Sequence, residues 1–250
     1  MKFKLTFLAA ILFSVGAFAA DATNATHKIK IILVGDSTVN DGGGWGSGFK
    51  QFLTDDVECI NVAQNGRSSM SFMKEGRWTN ALALHGDYYL IQFGHNNEPG
   101  KPGRSTDMPT FVSDMEKYVD DARAIGAQPV LVTPLSRRQW DKANPGKIKS
   151  SLAPYAEAVR KIAADKKVPL IELHDRSKEL CESLGKEKCL EFSPIKTVDG
   201  TNTFDGTHLK APGHILFARI VVAELRTAVP ELASHLLAEP KAVAEKSEAR

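Results

Sequence analysis

Apolar residues fall in short near-continuous runs at Ile29–Val34, Val57–Ala63, Tyr88–Phe93, Pro129–Thr133 and Pro169–Leu173. Between the runs, apolar positions recur three or four residues apart. Near-continuous runs of this length read as strands buried on both faces, and the intervening periodicity as amphipathic helices. Helices are expected near Gly46–Leu53, Thr110–Ile125, Leu152–Ala164 and Ala211–Arg226, with Gly126 and the Asp165-Lys166-Lys167 cluster as two of the stops. Strand and helix alternation predicts an α/β protein: a single three-layer domain with a parallel sheet covered on both faces. Right-handed crossovers between sequential strands make it a doubly wound sheet of about five parallel strands.

The ends of the chain follow a different pattern. Lys2 and Lys4 precede an apolar run from Leu5 to Val15 and a small-residue stretch, Ala17-Phe18-Ala19. That is the layout of a secretory signal peptide over residues 1–20, and the run is short for a membrane span. Cleavage would remove two basic residues and no acid, taking the formal charge from +2 to 0. A balanced charge gives no reason to expect a nucleic acid as partner, and no membrane association is expected after cleavage. The domain is expected over residues 28–237. Residues 238–250 are rich in Ala, Glu and Lys and lack aromatics, so they bury too little to offset their ordering entropy and are expected to be disordered. An exported chain with three cysteines leaves one over. Cys181 and Cys189 sit close together in a polar connection and are expected to pair, with Cys59 a buried free thiol; three reduced thiols are the alternative.

Chemistry concentrates in four short blocks: Gly35-Asp36-Ser37-Thr38, Asn65-Gly66-Arg67-Ser68, Gly94-His95-Asn96-Asn97 and Asp205-Gly206-Thr207-His208. The first three each follow a predicted strand, which places them at the carboxyl edge of the sheet, where open α/β folds bind ligands. Ser37 is the candidate nucleophile. A serine hydroxyl needs a base to remove its proton, and His208, with Asp205 three residues earlier to orient it, is the candidate. The backbone N–H groups of Ser37 and Gly66 and the side-chain amide of Asn96 are the candidate oxyanion donors. Taken alone, Ser37 could be a helix cap, and Gly66 and Asn96 ordinary turn residues. Gly66-Arg67-Ser68 and Gly46-Ser47-Gly48 do not complete a nucleophile elbow, and Ser68 reads as the N-cap of the next helix.

These blocks resemble the SGNH (GDSL) hydrolase family, and within it the rhamnogalacturonan acetylesterase-like branch. Gly35-Asp36-Ser37, Gly66, Gly94-His95-Asn96 and Asp205 with His208 match the family's blocks in order. Gly44-Trp45-Gly46-Ser47-Gly48-Phe49 and Thr133-Pro134-Leu135-Ser136-Arg137-Arg138 resemble the branch. The third block departs from its commoner form: Asn97 and then Glu98 follow, where an acid often comes directly after the Asn. The resemblance implies a flavodoxin-like strand order, 2-1-3-4-5, and a serine esterase that removes acetyl groups from a polysaccharide such as pectic rhamnogalacturonan. The alternatives are a short-chain lipase or thioesterase of the same family and a non-catalytic carbohydrate-binding relative.

Substrate contacts are less sharply marked. His95 lies in the third block, where a substrate contact is expected; Trp45, Trp78 and Trp140 offer flat faces for sugar rings; Arg67, Arg104, Arg137 and Arg138 could meet a carboxylate. Of these, His95, Trp45 and Arg67 are the expected substrate-binding residues. His85, His174, His214 and His235 lack an acid at useful spacing and are expected to be structural. No metal site and no cofactor are expected, since neither a Cys-x-x-Cys nor a helical His-x-x-x-His is present. The expected partner is an acetylated polysaccharide or oligosaccharide, and the expected working form a secreted or periplasmic monomer.

Overall fold

The computed structural model describes residues 28–241. Five parallel strands form the sheet: β1 (Ile29–Gly35), β2 (Val57–Asn61), β3 (Tyr88–Gln92), β4 (Gln128–Val132) and β5 (Leu170–Ile171). Their order is β2-β1-β3-β4-β5, as the family resemblance implied. The helices are α1 (Gly46–Lys50), α2 (Ser69–Lys74), α3 (Arg77–Leu82), α4 (Met108–Ala124), α5 (Ala153–Lys166), α6 (Leu173–Leu184), α7 (Lys186–Leu190) and α8 (Ala211–Ala228). An antiparallel hairpin, β6 (Ile195–Val198) and β7 (Thr201–Phe204), precedes α8.

Period-two geometry divides the core between two layers. On β1, Ile31 and Leu33 face a cluster with Trp45, Phe49 and Phe52 from the α1 segment and Phe217, Val221 and Leu225 from α8. Ile32 and Val34 face the opposite cluster, built from Phe72 and Trp78 and from Phe111, Met115, Tyr118, Tyr155 and Val159 of α4 and α5. Both sets are buried, which is why Ile31–Val34 reads as an unbroken apolar run rather than an alternation. Stacking of Phe93 on Tyr118 at 5.2 Å ties the end of β3 to α4.

Several expectations are refined. The fifth strand is only Leu170–Ile171, because Glu172 caps a helix that begins at Leu173, accepting from Asp175 N–H at 3.1 Å. The helix expected after Ser68 is present, and its cap is reciprocal: Ser68 Oγ accepts from Ser71 N–H while Ser71 Oγ accepts from Ser68 N–H. Helices α3 and α7 are too short to carry a legible period. The β6–β7 hairpin was not expected either; every residue of β7 is exposed, so no buried face marks it in the sequence.

All three cysteines are free thiols, which corrects the expected Cys181 to Cys189 pair. Both sit in the core, and the Cys189 thiol is turned toward the Cys181 carbonyl at 3.5 Å. A reduced thiol packs there as a small apolar group. Cys59 is free as expected but only half-buried, and desolvation pushes its thiol up to about 12. At the carboxyl end, residues 238–241 dock on the domain: Lys241 N–H donates to Gln51 O at 2.9 Å and Arg219 pairs with Glu239. The expected signal peptide, and the expected disordered tail beyond residue 241, lie outside the described residues.

Candidate active site

Pairing brings the ends of β1, β2 and β3 side by side, with Gly35 opposite Gln92, and Gln64 N–H donating to Gly35 O. The three strand-end blocks therefore converge on one edge. Gly35 is required by space rather than by a turn: a Cβ there would lie 2.5 Å from Val39 Cγ2 and 2.6 Å from Gln92 O. Gly66, at φ +76°, occupies the left-handed region that favours glycine.

The fourth block arrives from the far end of the chain. His208 Nε2 lies 2.8 Å from Ser37 Oγ, and His208 Nδ1 lies 2.7 Å from Asp205 Oδ2. The other carboxylate oxygen of Asp205 accepts from the N–H groups of Thr207 and His208 at 2.8 and 3.1 Å. Burial pushes the Asp205 carboxyl up, but Lys196 on the hairpin, 2.5 Å from Oδ2, together with His208 and the two N–H donors, holds it well below the ordinary carboxylate range. Asp205 is thus an anion at neutral pH, able to fix the imidazole and to stabilise it when it gains a proton. The His208 side chain keeps 31% exposure, so the relay opens to solvent.

The loop that presents Asp205 and His208 is clamped by Arg138, which sequence alone marked only as a possible carboxylate partner. Arg138 is buried; its Nη2 donates to the carbonyls of Asp205 and His208 at 3.0 and 2.5 Å, and its backbone N–H donates to Gly206 O at 2.8 Å. Arg137 bridges two blocks, donating to Thr207 Oγ1 at 2.6 Å, to Glu98 Oε2 at 2.5 Å and to His95 O at 3.2 Å.

Among the described residues, neither Ser37 N–H nor Gly66 N–H donates to a protein acceptor. Asn96 Nδ2 donates to Arg67 O at 3.0 Å, and since a primary amide carries two N–H bonds, one remains. Asn97, the departure in the third block, is fully buried and brackets its neighbours: its amide donates to Ser69 Oγ at 2.7 Å and Thr106 Oγ1 at 3.0 Å.

Two of the expected substrate contacts are corrected. Trp45 is wholly buried and donates from Nε1 to Gln92 Oε1 at 3.0 Å, so its rings pack in the core and offer no face to a sugar. His95 is 2% exposed and supports the nucleophile loop from beneath. It lies 3.6 Å from Asp36 Oδ2, while Asp36 Oδ1 accepts from the N–H and hydroxyl of Thr38. Burial pushes Asp36 up, yet His95 and the Thr38 donors hold its carboxyl below the ordinary range. Arg67 does stay half-exposed at the edge of the site, with Nε 3.0 Å from Glu75 Oε2. Trp78 is also core, whereas Trp140 and Phe204 line a hollow of about 350 Å³ beside Gly206, on the flank of the Asp205–His208 loop.

One cluster among the described residues brings three possible metal donors together: Glu172, His174 and Asp175, within 4.8 Å of one another. Arg160 already occupies it, donating to Glu172 at 2.6 Å and Asp175 at 2.7 Å. A second cation would meet that guanidinium.

Residues 33–214 match the GDSL-like Lipase/Acylhydrolase family. The chain is 35% identical to the rhamnogalacturonan acetylesterase RhgT of Bacillus subtilis (strain 168), over 84% of this chain and 94% of that protein. It is 32% identical to the probable rhamnogalacturonan acetylesterase YesY of the same organism, over 78% of this chain and 92% of that protein. Among solved structures, protein YXIM from Bacillus subtilis superposes with a TM-score of 0.67 at 25% identity, spanning 79% of this chain and 56% of that one. A catalytic mutant of Axe2, an acetylxylan esterase from Geobacillus stearothermophilus, superposes with a TM-score of 0.60 at 15% identity, spanning 78% of this chain and 93% of that one, a likeness of fold.

Proposed function

This chain belongs to the GDSL-like lipase/acylhydrolase family and is an esterase, and from that premise we propose that it is an exported enzyme that removes acetyl groups from a polysaccharide such as rhamnogalacturonan. The observation that carries the reading is the continuous relay from Asp205 through His208 to Ser37, at 2.7 and 2.8 Å, open to solvent at the carboxyl edge of the sheet. The identity to a rhamnogalacturonan acetylesterase over most of both chains supports the substrate class, and the Lys2-to-Ala19 segment supports export.

In this reading Ser37 Oγ attacks the acetyl carbonyl carbon while His208 Nε2 takes its proton. Asp205 stabilises the imidazolium. Charge on the former carbonyl oxygen rests on the N–H groups of Ser37 and Gly66 and the free N–H of Asn96. The tetrahedral centre collapses as His208 protonates the departing sugar oxygen, leaving acetyl-Ser37. Water then gives a proton to His208 and attacks the acetyl carbon. Acetate leaves, and the proton returns to Ser37. Every step uses groups of this chain, the ester and water, and a monomer holds all of them.

Acetate release from acetylated rhamnogalacturonan, galacturonan and xylan, with Ser37→Ala as the blank, tests the proposal. Ser37-dependent release from a polymer is expected. Hydrolysis confined to butyrate-to-octanoate esters would assign the site to lipid or thioester chemistry instead.

A further inference from the structure

Four arginines approach the site loops, and three are committed. Arg67 pairs with Glu75, Arg137 pairs with Glu98, and Arg138 is buried as the clamp on the Asp205–His208 loop. Arg104 differs. Among the described residues it makes no ion pair, and it is half-buried. Its Nη1 lies 3.3 Å from Gly66 O and 3.5 Å from Asn96 Oδ1, against the two blocks that frame the oxyanion position. A Cβ at Gly66 would come within 3.1 Å of the same nitrogen.

The backbone that carries Arg104 is held firmly. Arg104 N–H and Ser105 N–H donate to Lys101 O, and Thr106 N–H donates to Asn97 O at 3.0 Å. Asn97, in turn, anchors this loop to the third block. A guanidinium carries five donors, and two long contacts to neutral oxygens leave most of them unused. Withdrawing a cation partly from water without an anion beside it is unfavourable, and a carboxylate arriving from the cleft would relieve that cost with two parallel hydrogen bonds.

We propose that Arg104 binds a carboxylate of the sugar chain being deacetylated, so that the site prefers an acetylated polyuronate over a neutral polymer. This rests on the polysaccharide reading above. Because the loop is fixed before substrate arrives, the contact acts on binding and is expressed mainly in KM.

The test measures acetate release from acetylated galacturonan with free carboxylates and from the same polymer after methyl esterification. The wild type is expected to favour the free acid roughly tenfold or more in kcat/KM, by the usual strength of a charge-assisted pair, and to lose the preference as salt rises. Arg104→Gln should bring the two polymers together through KM, and Arg104→Lys, which keeps the charge but not the fork, should retain part of the difference. Equal rates on the two polymers in the wild type, or a preference that survives in Arg104→Gln, would overturn the assignment alone. An equal fall in kcat on both polymers would make Arg104 an oxyanion donor and overturn it too. Release from acetylated xylan but from neither galacturonan would overturn this assignment and leave the polysaccharide reading standing. Absence of release from galacturonan, rhamnogalacturonan and xylan alike, with Ser37-dependent cleavage of 4-nitrophenyl acetate intact, would remove both together.

Discussion

Among the described residues are two serine–histidine–aspartate relays of nearly equal dimensions. In one, His208 lies 2.8 Å from Ser37 Oγ and 2.7 Å from Asp205. In the other, His174 Nε2 lies 2.7 Å from Ser150 Oγ and Nδ1 lies 2.7 Å from Asp175 Oδ1. They differ in which member is buried. The His208 side chain is 31% exposed over an acid that is 5% exposed; the His174 side chain is 3% exposed beside an acid that is 51% exposed.

That reversal decides what each can do. A general base must meet water and substrate, and its acid must be shielded enough to act as a fixed counter-charge. His174 is sealed in the core, its acid is shared with Arg160, and Ser150 Oγ already accepts Leu152 N–H at 3.2 Å, acting as a local brace. Around Ser37, by contrast, backbone donors are unspent. Relay distances alone do not make an esterase site; exposure of the base and idle donors complete it.

The largest expected effect tests this contrast directly. Ser37→Ala and His208→Ala should each lower kcat/KM on an acetyl ester by about 10⁴-fold or more, with the double variant scarcely worse, because the first loss already disables the unit. Ser150→Ala should turn over at the wild-type rate, and a serine-reactive phosphonate should label the peptide carrying Ser37. A dead Ser150→Ala with an active Ser37→Ala would reverse the assignment.

Next in size, Asn96→Ala should lower kcat by roughly a hundredfold or more with KM little changed, since an oxyanion donor acts on charge that exists only in the transition state. A raised KM at constant kcat would move Asn96 to ground-state binding. For the buried relay the readout is stability: His174→Phe strands Ser150 Oγ, Asp175 and their neighbours, costing about 1–3 kcal/mol and lowering Tm by roughly 2–4 °C per kcal/mol in a chain of this size. Its folded fraction should keep full specific activity, and loss of turnover without loss of Tm would break the comparison.

The smallest effect concerns Lys196. Asp205 titrates below its unfolded-state value, so it contributes stability that is fully present above ordinary carboxylate pH and is lost as pH falls through the folded value. Lys196→Met should reduce that contribution, by less than about 1 kcal/mol because the lysine is largely in water. Thermal midpoints of wild type and variant should therefore differ at neutral pH and converge in acid. A gap that widens in acid would assign the Asp205 shift to other partners.

Much of the architecture was legible in the sequence, because the central strands β1, β3 and β4 are buried on both faces and apolar runs of that kind have few other readings. The four blocks were legible for a related reason: Gly-Asp-Ser, Gly-His-Asn and Asp-x-x-His are local, and their placement at strand ends follows from the alternation. Roles that depend on which way a side chain turns were not. Trp45 and His95 lie beside the site in sequence, but both turn inward, Trp45 onto Gln92 and His95 onto Asp36. Arg138 reads as a possible carboxylate partner and is a buried clamp. The Ser150–His174 contact spans 24 residues and follows no motif.

Composition and order along the chain thus determined the strands, their alternation with helices, and the residue types gathered at one edge of the sheet. Tertiary structure alone decided which relay histidine meets solvent, which thiols are buried and which arginine beside the site keeps its donors largely unused. Those outcomes depend on burial and on contacts between segments as much as 171 residues apart, and neither quantity exists until the layers pack.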